Sequence, residues 1–271
     1  MLYGAERTGR WAGRLVQVQN LPRNNYTSKE LQFLRELIKS KDLDTVQLFY
    51  EDSLTDLLAQ LIRTALIAGK SKTFVISDYS AIEARVIAWL ANESWVLEEF
   101  AGEGLIYEAT ASKMFNVDKQ TVRKGHANYK YRDMAKRAVL GLGYGGGVTA
   151  LKAMGADKTM SAEEMVNLVK LWRMANANIT KLWSNVQDLA ISAIEYPNTV
   201  YTTNNGLISF KKINSTLYIK LPSGRAIAYQ GVRLDDNKYG FRTIKYQGRT
   251  ASGTWGELET WGGKIVENIT Q

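Results

Sequence analysis

An α+β fold is expected for this 271-residue chain, and three observations lead to it. The first third carries apolar residues at helical spacing together with one short β-branched and aromatic run, Phe74-Val75-Ile76. From Glu93 to about Glu195 helical spacing continues, through Leu151–Met154, Val166–Trp172 and Ile179–Trp183. Past Pro197 the texture changes to short runs such as Leu-Ile-Ser-Phe and Thr-Leu-Tyr-Ile-Lys-Leu, punctuated by Asn204-Asn205-Gly206 and Pro222-Ser223-Gly224. Helices and a strand, then a helical block, then hairpins describe a chain that leaves a sheet and returns to it.

The elements follow in order. Thr27-x-x-Glu30 has the form of a capping box, opening a helix with Leu31, Leu34, Leu37 and Ile38 inward. Ser53-x-x-Asp56 opens another, with Leu54, Leu57, Leu58, Leu61 and Ile62 as its core stripe. Phe74–Ile76 reads as a buried strand with Asp78 at its mouth, and Ser80 as the N-cap of a helix carrying Ile82, Val86, Trp89 and Leu90 on one stripe. Glu83 and Arg85 flank that stripe, so three charged groups gather at one strand-to-helix junction, where a nucleotide or a metal has room to lie. Gly69-Lys70-Ser71 is not a phosphate loop: Thr64 stands where the first glycine belongs, and the segment precedes a strand rather than following one.

Composition narrows the classes. The 35 Lys and Arg against 27 Asp and Glu give a net charge of +8, which favours an anionic partner such as nucleic acid. Arg7, Arg10, Arg14 and Arg23, set among Gln17, Gln19 and Asn20, make the first 25 residues either a solvated basic arm or a nucleic-acid contact segment. With no cysteine there is no disulfide framework, Cys zinc site or thiol nucleophile. No apolar run approaches the ~20 residues of a membrane span and no secretory signal opens the chain, so a cytoplasmic protein is expected, with no membrane partner.

A second constellation lies at Tyr131–Gly147. Arg132, Lys136, Leu140 and Tyr144 are each four apart, and on one helix they form a row about 18 Å long. Two cations one turn apart suit a polyphosphate, a ring further along suits a base, and the glycine run beyond allows close backbone approach. An ordinary surface helix with a glycine cap has the same spacing.

Together the two constellations resemble family A DNA polymerases, the polymerase I-like group, and its phage branch in particular. Asp78-Tyr79-Ser80-x-Ile82-Glu83-x-Arg85 is similar to motif A of that family, and Arg132-x-x-x-Lys136-x-x-x-Leu140-x-x-x-Tyr144-Gly145 to its motif B. Thr8-Gly9-Arg10, Gln19-Asn20-Leu21-Pro22, Ala109-Thr110-Ala111, Leu221–Arg225 and Gly262-Gly263-Lys264 extend the likeness over essentially the whole chain. The resemblance implies a partial antiparallel palm sheet with a largely helical fingers subdomain inserted between palm segments. Residues 1–91 would hold the start of the palm, the thumb base and motif A; 92–196 the fingers and motif B; 197–271 the hairpins returning to the palm.

The implied activity is template-directed transfer of a dNTP to a primer 3′-hydroxyl by a two-metal mechanism, with Mg²⁺ as cofactor and primer-template DNA and dNTPs as partners. By resemblance Asp78 and the Tyr79 carbonyl would bind metal. Arg132 and Lys136 would hold the triphosphate, with Lys136 protonating the leaving pyrophosphate. Glu83 would be the steric gate against a ribose 2′-hydroxyl, and Tyr144 would cover the nascent base pair with its hydroxyl near Glu83. Leu140 and Tyr107 complete the implied nucleotide site, while Arg10, Gln19, Asn20, Arg85 and Gly145 would meet the DNA. Leu140 stands where many members have Phe, Tyr107 where His is common, and Leu105 where an acidic residue is common. The lone His126 matches no family motif and is expected in solvent or a loop.

Motif C, a His-Asp pair carrying the second metal carboxylate, has no match here, and Asp235-Asp236 sits in a segment whose composition says hairpin turn rather than catalysis. A portion of a longer polymerase is therefore expected, needing a C-terminal portion with motif C as partner and acting in the host cytoplasm if phage-encoded. The rival readings are a single-subunit RNA polymerase relative, which Glu83 argues against, and a non-catalytic fragment that binds primer-template DNA.

Overall fold

The computed structural model describes residues 8–9, 17–236, 240–250 and 252–271, apart from the side chain of Gln19. They fall into two compact units: the described residues up to Tyr79 without Thr8 and Gly9, and Ser80–Gln271 together with Thr8 and Gly9.

The first unit contains α1 (Ser28–Ser40), α2 (Leu43–Phe49) and α3 (Leu54–Ile62). The capping box is present at α1: the Thr27 side chain accepts from the Glu30 amide, and Glu30 accepts from the Thr27 amide at 2.7 Å. Leu34, Leu37, Val46, Tyr50 and Leu57 form a small core, pinned where the Tyr50 hydroxyl donates to the Glu30 carbonyl at 2.7 Å. Ser53 caps α3 as expected. The expected α3 stripe is only partly core, however. Leu57 is buried, but Leu54, Leu58 and Ile62 are exposed, because periodicity marks an apolar side of a helix and not the presence of anything to cover it.

Phe74–Ile76 is not a strand. The backbone from Thr73 to Tyr79 has no regular structure, and Val75 and Ile76 are 92% and 87% exposed. A strand exists only where a neighbour accepts its ladder hydrogen bonds, and among the described residues none pairs with this run.

The second unit opens with α4 (Ile82–Ala91), α5 (Ser94–Ala101), α6 (Ile106–Phe115), α7 (Tyr129–Leu142), α8 (Val148–Ala153), α9 (Ala162–Ala175) and α10 (Ala177–Glu195). Ser80 does not cap α4. The N-cap is Ala81, held at φ 50°, and no side chain accepts there. Between α4 and α5 the buried Glu93 carboxylate accepts from the Asn178 and Ile179 amides at 2.9 and 3.3 Å, so it caps α10 from 85 residues away. His126 lies exposed in the bend before α7.

All strands among the described residues come later: β1 (Tyr201–Thr202), β2 (Ser209–Ile213), β3 (Thr216–Lys220), β4 (Ala226–Asp236), β5 (Arg242–Arg249) and β6 (Trp255–Thr260). They form one antiparallel meander in chain order. The fold is thus α+β, as expected, but with its described strands following the helices rather than bracketing them. Alternation decides the sheet's buried face: Leu217 and Ile219 on β3 and Ile227 and Tyr229 on β4 point inward, Tyr218 and Lys220 outward. That face packs against α10, whose Ile179, Leu182, Trp183, Val186, Ala190 and Ile194 are buried, and against Ile265 and Val266 of α11 (Gly262–Thr270). Full burial of each large side chain contributes on the order of 1.5–3 kcal/mol. The Asn268 side chain donates to the Tyr229 hydroxyl at 2.6 Å, fixing α11 on the sheet.

Asp235 and Asp236 lie at the end of β4, in register with Thr243 and Arg242, rather than in the turn itself. Among the described residues no helix is long and apolar enough to cross a membrane.

Candidate active site

The turn after α7 organises the site. α7 ends at Leu142, so Tyr144 is not the last member of the helical row but stands in the following turn. Five glycines within seven residues, at 141, 143 and 145 to 147, favour leaving the helix there. The turn is fastened on two sides. Trp183 of α10 donates its indole N–H to the Gly143 carbonyl at 3.0 Å, and Arg173 of α9 donates to the Gly146 carbonyl at 3.3 Å. Gly145 takes φ 79°, and the Trp261 indole fills the space where its Cβ would stand. A Cβ at Gly263 would meet the same ring and the Tyr144 carbonyl. Two glycines, one from each side, therefore let the turn and the start of α11 approach around Trp261.

So held, the Tyr144 hydroxyl donates to Oε2 of Glu83, in the first turn of α4, at 3.3 Å. Burial raises the phenol above its ordinary range, and the nearby Glu83 charge raises it further, so Tyr144 remains a neutral donor at physiological pH. This is the Glu83–Tyr144 approach expected from the resemblance.

Arg132 enters from α7. Its Nε donates to Oε1 of Glu108, in the first turn of α6, at 2.6 Å, and the guanidinium lies over the Tyr107 ring at 5.5 Å from the centroid. The hydrogen bond it donates to Glu108 raises the already high guanidinium pKa. Lys136 and Leu140, one and two turns on, are exposed. α6 and α7 are aligned by the Phe115–Tyr131 stack, with centroids 4.4 Å apart, and by the buried trio Ala111, Val122 and Ala135.

Arg85, expected to face DNA, is engaged by the protein. Its Nε donates to the Ser80 carbonyl at 3.0 Å, Nη1 to the Phe100 carbonyl at 3.4 Å, and the guanidinium lies 4.1 Å from the centre of the Phe100 ring. It borders an open groove of about 430 Å³ with Val86, Trp89, Leu97, Phe100 and Ala101.

Asp78 and Tyr79 end the first unit, both exposed. Asn20 is exposed and donates to the Gln17 side chain at 2.8 Å, while Arg10 and the side chain of Gln19 lie outside the described residues. Asp235 is held by Arg233 and Lys245 at 2.7 and 2.8 Å, so its carboxylate is already neutralised. Among the described residues no three acidic or histidine side chains converge on a point that would hold a metal ion. Two participants escape sequence reasoning. Glu108 directly precedes the Ala109-Thr110-Ala111 stretch but belongs to neither constellation, and Trp261 is marked in the sequence only by the Gly262-Gly263 pair that follows it.

The sequence profile of DNA polymerase family A matches residues 6–216. The chain belongs to DNA polymerase family A. It is 46% identical, over 99% of its length, to a protein named DNA polymerase from Bacillus phage SP02, and spans 41% of that protein. It is also 34% identical over 109 residues to DNA polymerase I of Chloroflexus aurantiacus, a match covering 40% of this chain and 11% of that one. The profile match to family A takes in both constellations, from Asp78 to Gly145.

Proposed function

We propose that this chain forms the nucleotide-binding part of a template-directed DNA polymerase, which joins a dNTP to a primer 3′-hydroxyl and releases pyrophosphate. The observation that carries the proposal is the Tyr144 hydroxyl on Glu83 at 3.3 Å, since it builds a polar stop at the head of α4 within a family A chain. A carboxylate held there rejects a sugar bearing a 2′-hydroxyl by crowding, while Tyr144 offers a flat face to a base. Arg132 and Lys136, one helical turn apart, are assigned to the triphosphate, and Lys136 to protonation of the leaving pyrophosphate.

Asp78 and the Tyr79 carbonyl are assigned as donors to the divalent cations of the family, Mg²⁺ being the ordinary choice for oxygen ligands beside phosphates. One carboxylate is too few for such a site, and no metal-binding cluster occurs among the described residues. The remaining carboxylates are proposed to come from a further polymerase portion carrying motif C, in keeping with the 41% of the phage protein that this chain spans. Residues 1–91, 92–196 and 197–271 are proposed as palm start, fingers and palm return.

Titration of dNTPs and rNTPs against the chain bound to a fluorescent primer-template tests the proposal. The template-matched dNTP should bind tighter than mismatched dNTPs and than the matched rNTP, and Glu83→Ala should narrow the dNTP-to-rNTP ratio. DNA binding with no dependence on the matched nucleotide would instead identify a non-catalytic DNA-binding module.

A further inference from the structure

Arg132 is held in an unusual way for a surface arginine. Only its Nε is used, by Glu108, and neither Nη nitrogen makes a hydrogen bond among the described residues. The side chain is 32% exposed, and of its nitrogens only the inner one is fixed by a hydrogen bond. Glu108 is the reverse: its side chain is 8% exposed and Arg132 is its hydrogen-bond partner. A carboxylate removed from water to that degree is costly unless it is paired, and here the pairing cation and the positive first turn of α6 supply the compensation. The pair is not needed to dock the two helices, because the Phe115–Tyr131 stack and the Ala111–Val122–Ala135 cluster already do so. Its geometric effect is instead on the guanidinium. One charge-assisted bond at 2.6 Å and the Tyr107 ring restrict the plane of the fork, with Lys136 exposed on the next turn.

We propose that Glu108 is a positioning residue that holds the Arg132 guanidinium with both Nη groups presented to the nucleotide triphosphate. The inference rests on the assignment of Arg132 to the triphosphate made above. Preorganisation is where the benefit lies: a free arginine side chain must give up its rotamer freedom on gripping phosphate, whereas a fixed one has already lost it.

The test is the dissociation constant of template-matched dNTP from the chain–primer-template complex, measured for wild type, Glu108→Ala, Glu108→Gln, Arg132→Ala and the Glu108→Ala/Arg132→Ala double variant, each checked for folding by thermal melting. Glu108→Ala is expected to weaken dNTP binding about tenfold, and Glu108→Gln, which keeps an acceptor for Nε, about threefold. In the Arg132→Ala background Glu108→Ala should add nothing, an outcome that a purely structural role does not produce. If Glu108→Ala fails to fold, Glu108→Asp replaces it, with an expected loss near that of Gln. Wild-type affinity in Glu108→Ala, an equal loss in both backgrounds, or a loss in Gln as large as in Ala would each overturn the inference while leaving the functional assignment standing. A wild-type chain without template-matched binding would sink both.

Discussion

Replacing Gly145 with Ala tests the turn on which the site is built. Two costs combine. Gly145 sits at φ 79°, where an L-residue is strained by about 1–2 kcal/mol. The new methyl would also stand where the Trp261 indole lies, and the same ring fills the space beside Gly263, so it must shift to admit the methyl. Overpacking of this kind costs about 1–3 kcal/mol. Gly145→Ala should therefore lower unfolding free energy by about 2–5 kcal/mol, read from urea denaturation followed by circular dichroism with an unchanged m-value. Trp261→Ala removes the obstacle, so the double variant should show only the backbone part, giving a coupling of about 1–3 kcal/mol in the cycle. A loss below about 1 kcal/mol for Gly145→Ala, or strict additivity with Trp261→Ala, would refute the account of the turn.

Two further outcomes are expected. Val75→Ser should change stability by less than about 0.5 kcal/mol, since the side chain is 92% exposed, and a loss above about 2 kcal/mol in the same denaturation assay would restore the buried strand. Asp235 should titrate well below the usual carboxylate range, because Lys245 and then Arg233 donate to it. Its folded pKa being depressed, the stabilisation it supplies is complete above the ordinary carboxylate value and is lost only as pH falls through the lowered one. Lys245→Ala should move the Asp235 titration upward, as followed by carboxyl ¹³C NMR, and an unmoved curve would remove Lys245 as the main cause.

What was legible in the sequence was mostly local. The Thr27 and Ser53 caps need only residues three apart, and both formed. The hairpins after Pro197 announce themselves through turn residues and alternation, and the meander follows. Phe74–Ile76 failed because composition supplies strand propensity but not a partner to pair with. The Arg132 row ends one step before Tyr144: spacing of four predicts a common face only while the helix lasts, and Tyr144 reaches Glu83 from a turn instead. Ser80 lost the N-cap to Ala81, whose left-handed backbone no side-chain rule anticipates. Glu108 was invisible for a different reason. Whether a glutamate in a helix is solvated or buried depends on what the next helix brings, and Arg132 lies 24 residues downstream.

The carboxylate of Glu93 gives α10 a clock of its own. The Asn178 and Ile179 amides are satisfied by a side chain 85 and 86 residues earlier, so their exchange with solvent deuterium is expected to follow opening of the α4–α5 junction rather than fraying of the helix. During folding the same bond closes only once that distant junction is in place, so the cap on the first turn of α10 is expected to form later than the locally encoded remainder of the helix.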